Sequence, residues 1–379
     1  MHSNWRTTTL GETLPFSYGK NLPAKTRSHS GEFDVVTSAG VVDSHNEAYV
    51  HVPSIVIGRK GTIGSLTYCP NPVWPTDTTF FATETDACDL RFGYYLLHTL
   101  HLRELNNDSA VPGLNRSDAH ALEIYLPPLS EQIGIAKVLG ALDDKIVANR
   151  LVIEKIHALL HAKWHAITST GASSTQPISS IADVNPRMPK PHRGECSFLE
   201  MKDLPEFGLI VDHWASRATK GGTKFKNGDV LLARITPCFE NGKMAIVDFL
   251  EDDEVGMGST EYIVFRPKEG IPAAAIHAII ASPEFRGFGY KALTGTSGRQ
   301  RIAAGDLKEI AVPWPAESSL AEYRLLAHAL VEKATTLRNE NQVLARTRDE
   351  LLPLLMSGRI TVGEAEEAAD VAGTAASES

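Results

Sequence analysis

A long heptad pattern in the middle of the chain restricts the possible folds more than any other feature. Between positions 131 and 167, apolar residues recur at alternating spacings of four and three. The pattern includes Ile135, Leu139, Leu142, Ile146, Ile153, Ile156 and Leu160, and Asn149 occupies a position where the pattern would place an apolar residue. Such a pattern favours a coiled coil over a single surface helix. Pro127 and Pro128 precede it, and Ser130 is the predicted N-cap. At 1.5 Å per residue the helix would extend about 55 Å, which exceeds one compact domain.

A second helix of this kind is predicted near the C-terminus. Leu330, Leu337, Leu344 and Leu351 recur every seven residues. Two helices with such narrow apolar faces are expected to pack on each other. Asn149 lies near the midpoint of the first, and Glu340 and Asn341 near that of the second. A polar pair there could fix the register, although each could also be a half-exposed polar residue.

The two segments beside the central helix show the same order of elements. Each has short strands, a helix, an arginine-containing loop and a closing strand with a proline exit, LEIYLPP or KEIAVPWP. This order predicts an internal duplication of about 185–190 residues. The predicted fold class is α+β, with two mixed α/β domains separated by two long antiparallel helices that form a coiled-coil spacer. The predicted parts are domain 1 (1–128), the central helix (129–170), domain 2 (171–315), the C-terminal helix (316–360) and an acidic disordered tail (361–379).

Composition indicates a soluble, cytoplasmic protein. Hydrophobic residues make up 42% of the 379 positions, and no apolar run is long enough for a membrane span. Four widely spaced cysteines without a CxxC pair are typical of free thiols. The net charge of −9 argues against a nucleic-acid-binding protein, but five acids and no base lie in the tail.

Seven stretches stand out along the chain: PPLSEQIGIAKVLGALDDKIVANR, IVIGRKGTIG, WPTDTTFF, IADVNPR, DVLLARITPCFENGK, SGRQRI and ELLPLLMSGRI. Together they resemble the specificity subunit of type I restriction–modification systems. The resemblance covers the chain up to the acidic tail, and it departs from the family at PWPAESSLAEYRLL, where the second long helix should start.

The resemblance implies a non-catalytic subunit with two target-recognition domains, each reading one half of a bipartite double-stranded DNA target. The helices would set the gap between half-sites about one helical turn apart, roughly 34–36 Å. The implied partners are two DNA-methyltransferase subunits and restriction or translocase subunits. No cofactor is expected in this chain, whereas S-adenosylmethionine, ATP and Mg²⁺ are expected in the partners.

Candidate DNA-binding residues are polar or cationic and lie in predicted loops, as base and phosphate contacts require. In the first half they are Arg59, Lys60, Thr62, Thr76, Asp77 and Arg116; in the second half they are Lys220, Lys224, Arg234, Thr236, Glu240, Asn241, Lys243, Arg299, Gln300 and Arg301. For GRKGTIG the alternative is an ordinary glycine turn with a solvated tip. Arg234 could equally form an internal salt bridge, and the lysines a charged hairpin.

Two functions other than sequence recognition of DNA remain as alternatives. Glu200 and Lys202 form an ExK element, with Asp183 upstream, as in some metal-dependent nucleases. A coiled-coil scaffold between two other binding domains is the second alternative. No methyltransferase motif and no phosphate-binding GxxxxGK[ST] loop is present. His157, His161 and His165 could form a metal stripe, but a solvated helix face is the preferred interpretation, and no metal site is predicted.

Overall fold

The computed structural model describes residues 4–105, 113–169, 172–189, 191, 194–218, 221–296 and 298–378. The chain divides into two compact units. Unit 1 comprises Met1–Ile146 and Gln342–Glu378, and unit 2 comprises Val147–Asn341. Within the described residues, no helix combines the length and the apolarity needed to cross a membrane.

The described residues of unit 1 form nine strands and, before the first long helix, three short helices. The strands are β1 (Arg6–Thr9), β2 (Ser17–Tyr18), β3 (Phe33–Thr37), β4 (Gly40–His45), β5 (Ser54–Gly58), β6 (Leu66–Cys69), β7 (Val73–Pro75), β8 (Thr79–Thr83) and β9 (Glu123–Leu126). The short helices are α1 (Leu10–Thr13), α2 (Leu90–Thr99) and α3 (Arg116–His120), and 3-10 turns cover Ala24–Thr26 and Leu102–Leu105. The first long helix, α4 (Leu129–Ser169), begins in unit 1 and ends in unit 2.

In the part of unit 2 that the structure describes there are ten strands and three short helices. The strands are β10 (Ala172–Pro177), β11 (Ala182–Val184), β12 (Cys196–Leu199), β13 (Ala215–Arg217), β14 (Thr223–Phe225), β15 (Val230–Ala233), β16 (Met244–Ile246), β17 (Gly256–Gly258), β18 (Tyr262–Pro267) and β19 (Ala311–Pro315). The short helices are α5 (Ile178–Ile181), α6 (Ala273–Ala281) and α7 (Pro283–Lys291), with a 3-10 turn at Ala304–Leu307. The second long helix, α8 (Glu317–Met356), begins here, and α9 (Val362–Glu378) follows it in unit 1.

The two units share one topology, which confirms the predicted duplication. Their main antiparallel sheets have the orders β2-β8-β5-β6 and β11-β18-β15-β16. Each also has a mixed sheet with one parallel pair. It is β4-β3-β7 in unit 1, with β3 parallel to β7, and β13-β12-β17-β14 in unit 2, with β12 parallel to β17 and β14 as an additional strand. A two-stranded closing sheet, β1-β9 or β10-β19, completes each unit. The central strands β5 and β15 are buried along their whole length. Because both faces of these strands are covered, SIVIG and VLLA are continuous apolar runs without alternation.

Each unit builds its largest core between the main sheet and the long helices. In unit 1, Ile55 and Phe80 belong to the same buried cluster as Leu139 and Leu351. In unit 2, Leu232 and Ile263 share a cluster with Leu160. The apolar seam predicted from the heptads is therefore the face that holds each sheet on the helices.

Side-chain contacts show that α4 and α8 pack antiparallel. In unit 2 the hydroxyl of Tyr323 donates to the carbonyl oxygen of Leu160 at 3.3 Å. In unit 1 Arg348 Nη1 lies 2.6 Å from Asp143 Oδ1. Since the numbers on α8 rise as those on α4 fall, the predicted antiparallel arrangement is confirmed. All twelve predicted seam residues are buried or partly buried.

Asn149 makes the polar contact that the sequence suggested at the midpoint. Its side chain is 3% exposed, and its Nδ2 donates to Glu340 Oε2 at 2.8 Å and to Asn341 Oδ1 at 2.9 Å. Glu340 is itself only 9% exposed. The alternative, in which these polar residues are half-exposed, is therefore wrong for Asn149 and Glu340. That their contact fixes the register of the two helices stays a prediction.

The start of α4 differs from the prediction in one detail. The carbonyl oxygen of Pro128 accepts from the backbone of Glu131 and Gln132, so Pro128 is the cap and Ser130 lies within the first turn. The side chain of Gln132 is buried, donates to the carbonyl oxygens of Ala87 and Pro127, and accepts from the backbone of Asp89. Gln132 thus fixes the helix start on unit 1.

The prediction of a disordered tail is wrong for the residues that the structure describes there. Thr361 and Glu364 form a reciprocal capping box, since each side chain accepts from the other's backbone N–H. In the helix α9 that follows, Ala365 is fully buried, and Val362 and Ala369 pack on the unit 1 core. A small apolar face is therefore enough to hold this acidic segment as a helix.

The prediction of a solvated histidine face is wrong for two of its three residues. His157 and His161 are half-buried and contact His277 of α6, which is fully buried. His165 is exposed, as expected.

We predict that Asn149→Leu destabilises the chain by about 1–3 kcal/mol, because Glu340 loses its amide donor while it remains buried. Urea unfolding of the full chain measures this change. The double variant Asn149→Leu/Glu340→Leu should recover much of the loss, since an apolar pair at one seam position is not penalised. Arg150→Ala, an exposed change on the same helix, is the control. An Asn149→Leu variant as stable as the wild type would contradict the importance of the pair.

Candidate nucleic-acid interface

Arg59 occupies a fixed backbone position at the end of the central strand of unit 1. Its N–H donates to the carbonyl oxygen of Thr78 at 2.9 Å, and its carbonyl oxygen accepts from the N–H of Leu114 at 2.9 Å. These bonds join the loop after β5, the turn before β8 and the segment before α3. The backbone therefore determines where the Arg59 side chain leaves the sheet.

Two guanidinium groups meet on one exposed tyrosine beside this position. The Cζ atoms of Arg59 and Arg116 lie 5.1 and 4.8 Å from the centre of the Tyr18 ring, which is 47% exposed. Arg59 Nη1 also donates to the carbonyl oxygen of Asp77 at 3.3 Å. Within the described residues no carboxylate pairs with either arginine. Stacked arginines keep their hydrogen-bond donors available for a phosphate or a guanine edge.

The remaining predicted residues of unit 1 divide into exposed and buried ones. Lys60, Thr62 and Asp77 are exposed. Gly61 has a φ of 78°, so the loop that carries Lys60 and Thr62 needs glycine. Thr76 is only 2% exposed and its hydroxyl is bonded to that of Thr78 at 2.9 Å. Thr76 therefore supports the turn, and the prediction that it contacts DNA is wrong. We call Tyr18, Arg59, Lys60, Thr62, Asp77 and Arg116 the Arg59 surface.

Arg234 occupies the equivalent backbone position in unit 2. It follows the central strand β15, its N–H donates to the carbonyl oxygen of Glu261 at 2.9 Å, and its carbonyl oxygen accepts from the N–H of Ile302 at 3.0 Å. Glu261 precedes β18 as Thr78 precedes β8. Both loops predicted from the motifs, LLARITP and SGRQRI, thus meet at this point.

In unit 2 a carboxylate lies between the arginines. Arg301 forms a two-pronged ion pair with Glu261, with Nε and Nη2 at 3.0 and 2.8 Å from Oε1. Arg234 Nε lies 3.9 Å from Glu261 Oε2 and has no hydrogen-bond partner in the described structure. The hydrogen bonds from Arg301 lower the pKa of Glu261 below its usual value. Two arginines thus share one ionised carboxylate, and the internal salt bridge considered for Arg234 is present only as this long contact.

The residues around this pair have distinct roles. Arg299 is exposed, and Gln300 is half-exposed. Thr236 is buried, and its hydroxyl accepts from the N–H of Gln300 at 3.0 Å. Thr236 therefore holds the Gln300 loop in place, and its predicted contact with DNA is wrong. We call Arg234, Glu261, Arg299, Gln300 and Arg301 the Arg234 surface.

Among the described residues, the side chains of Lys224, Glu240, Asn241 and Lys243 show no contact with this surface. Lys243 donates to the carbonyl oxygens of Met201, Lys202 and Leu204, so its predicted contact with DNA is wrong. Lys224 Nζ also donates to a backbone carbonyl oxygen, that of Met188, and so contacts a loop of its own unit. Glu240 and Asn241 are exposed on the β15–β16 connection, where Asn241 donates to Glu206. Lys220 lies outside the described residues.

Sequence reasoning missed two members of these surfaces. Tyr18 was not chosen because nothing in the sequence places it next to Arg59 and Arg116. Glu261 could have been found by aligning the segments before TFFAT and YIVFRP, which places Thr78 and Glu261 at one position. Aligning the two halves of the sequence therefore reveals Glu261 as a candidate.

Comparison with known sequences identifies the first half of the chain. Residues 2–158 match the family described as type I restriction modification DNA specificity domain. The type I restriction enzyme EcoEI specificity subunit of Escherichia coli is 28% identical over 200 residues, which are 51% of this chain and 33% of that protein. The EcoAI specificity subunit of the same organism is 32% identical over 145 residues, 36% of this chain and 24% of that protein. The chain thus matches about a third or less of the length of these relatives.

A solved structure shows the same fold over almost the whole chain. The type I restriction–modification S subunit from M. genitalium superposes with a TM-score of 0.60 at 15% identity, covering 93% of this chain and 96% of that one. At this identity the likeness concerns the fold, which includes both units and the long helices. The sequence match to the type I restriction–modification specificity domain thus covers residues 2–158, and the solved structure extends the likeness in fold to the rest of the chain.

Proposed function

We propose that this chain is the DNA sequence-recognition subunit of a type I restriction–modification complex, in which each unit reads one half of a bipartite target. The observation that carries the proposal is the repeated arginine position. Arg59 and Arg234 follow equivalent central strands and have equivalent backbone hydrogen bonds. Two similar readers in one chain are what a bipartite target requires.

The chemistry of the two surfaces supports reading of DNA. Arginine pairs with guanine in the major groove and also contacts phosphate, and glutamate accepts from the cytosine amino group. The Arg59 surface places two arginines on Tyr18, whereas the Arg234 surface adds Glu261 between its arginines. Because the two surfaces differ in charge, they suit two different half-sites, and hence an asymmetric target.

The proposed role is recognition, with catalysis supplied by partners. We infer that two DNA-methyltransferase subunits and a restriction or translocase subunit associate with this chain, as expected of a specificity subunit. S-adenosylmethionine, ATP and Mg²⁺ would then be bound by those partners. The alternative nuclease is not favoured, because Glu200 is engaged by Lys202 and Arg217 at 3.0 and 2.9 Å, and Asp183 lies on a strand of the other sheet. A scaffold unrelated to DNA is disfavoured by the family match.

Mapping of methylated sites tests the proposal directly. The full chain is expressed with a type I DNA-methyltransferase subunit from the same genome, and methylation-sensitive sequencing of the host genome reports the modified motif. We expect one bipartite motif with a fixed gap, absent when this chain is omitted. Methylation that does not depend on this chain would contradict the recognition role.

We predict that the two surfaces control separate half-sites. Arg59→Ala or Arg116→Ala should relax the sequence requirement in one half-site only, and Arg301→Ala in the other half-site only. Each lost base or phosphate contact is expected to cost about 1–3 kcal/mol in binding of the mapped target, measured by titration of the assembled complex with variant duplexes. Glu261→Gln should change the same half-site as Arg301→Ala. The exposed Lys137→Ala, outside both surfaces, is the control.

Relaxation of both half-sites by one variant, or of neither by any variant, would contradict this assignment. Equal loss at all sequences together with a weaker salt dependence would show that the changed residue contacts phosphate only.

We further propose that α4 and α8 set the gap between the half-sites. One heptad inserted after Ile146 and another after Asn341 would lengthen both helices where the boundary between units crosses them. The contacts Asp143–Arg348 and Asn149–Glu340 would both be kept. Seven residues add about 10 Å, so we predict a gap longer by about three base pairs with unchanged half-sites.

Methylation mapping of the inserted variant measures the gap. An insertion in α4 alone is the matched control, and it should abolish site-specific methylation because the seam loses its register. An unchanged gap, or altered half-site sequences in the double insertion, would show that the helices do not set the spacing.

A further inference from the structure

Three histidines from distant parts of the sequence converge in unit 2. His157 and His161 lie one turn apart on α4, and His277 lies on α6. His161 Nε2 is 3.0 Å from His157 Nε2 and 3.0 Å from His277 Nδ1. One ring nitrogen from each residue lies within 4.8 Å of those of the other two. We call these residues the histidine triad.

Hydrogen bonding fixes the state of the buried member. His277 is 0% exposed, and its Nε2 lies 2.8 Å from the carbonyl oxygen of Gly208. A carbonyl only accepts, so Nε2 carries a hydrogen, and in the neutral ring Nδ1 then presents its lone pair to His161. A metal-binding histidine typically has this second-shell bond from its other nitrogen, which fixes the orientation of the ring.

The contacts among the three neutral rings cannot all be hydrogen bonds. His161 Nε2 faces both His157 Nε2 and His277 Nδ1 but carries at most one hydrogen. If it donates to His277, it has no lone pair to offer His157; if it accepts from His157, it meets the lone pair of His277. A cation placed between the three nitrogens would satisfy all of them at once.

The spacing of the nitrogens fits a transition metal. Tetrahedral zinc with Zn–N distances of about 2.0–2.1 Å separates its ligand nitrogens by about 3.3 Å. The two separations of 3.0 Å that involve His161 are close to this value, and the nitrogens of His157 and His277 lie within 4.8 Å of each other, so ring rotations are needed to bring all three to it. Neutral imidazole is a preferred zinc ligand, and two histidines four residues apart on a helix are a common way to supply a pair. His157 and His161 are only half-buried, which leaves access for a fourth ligand from solvent.

We propose that the histidine triad binds one zinc ion that fastens α6 of the recognition unit to α4. The ion would join a long helix, α6 and, through His277, the turn at Gly208. None of the residues of the histidine triad belongs to the Arg59 surface or to the Arg234 surface. The proposal therefore stands or falls independently of the DNA-reading function.

Metal content and affinity test the site. The full-length chain is purified without a polyhistidine tag and its zinc is measured by elemental analysis; after chelator treatment, Zn²⁺ is titrated back in competition with a chromogenic chelator. We expect one zinc per chain, and a Kd that rises about 100-fold in His157→Asn and His161→Asn, since even outer contacts of zinc ligands change affinity by 10–100-fold. These half-buried positions are chosen because a change at His277 risks misfolding.

His165→Asn is the matched control, since this exposed histidine lies on the same helix and contacts Ser169 instead of the triad. It should bind zinc as the wild type does. Zinc should also raise the melting temperature of the wild type and of His165→Asn but not that of His161→Asn. Zinc binding that is absent from the wild type, unchanged in both triad variants, or equally weakened by His165→Asn would overturn the proposal.

Discussion

The antiparallel packing of α4 on α8 is the constraint on which the rest of the structure depends. Both main sheets bury their helix-facing sides on the seam of this pair, so neither core would be closed without it. Specific polar contacts set where along the helices each sheet lies. In unit 2, Arg338 is buried, donates to the carbonyl oxygen of Val211 at 2.6 Å, and pairs with Asp248 at 3.2 Å. Breaking these contacts is costly because each partner would stay buried. The sheet therefore has one favoured position along the helices.

Unit 1 uses a different set of contacts for the same purpose. Asp143 of α4 accepts from the hydroxyl of Tyr95 and pairs with Arg348 of α8 at 2.6 Å, while Gln132 satisfies three backbone groups before the helix. The two halves of the duplication therefore keep one topology, while the residues that attach each half to the long helices differ. This divergence explains why the second helix start, PWPAESS, does not repeat PPLSEQ: there, Tyr323 and Trp314 pack on Trp164 of α4.

Much of the fold could be predicted because its strongest signals are local and periodic. The heptads gave the long helices, and repeated element order gave the duplication. What depends on distant residues could not be predicted: His277 lies 116 positions from His161, and Glu261 lies 40 from Arg301. Thr76 and Thr236 were misassigned because a hydroxyl in a polar loop has the same sequence signal whether it faces solvent or holds the turn. The tail was misjudged because composition does not show that Val362, Ala365 and Ala369 lie on one helical face.

The way in which the two surfaces are held has a consequence for how recognition can change. The bonds that position Arg59 and Arg234 are between backbone groups, Thr78 and Leu114 in one unit and Glu261 and Ile302 in the other. Backbone bonds do not depend on side-chain identity, so position 78 can be threonine where position 261 is glutamate without loss of the turn. The residues that support these turns, such as Thr236, are buried and separate from the exposed ones. A scaffold of this kind lets the exposed side chains vary while the fold and the helix pair stay the same; under the proposed function, the bases that are read would vary with them.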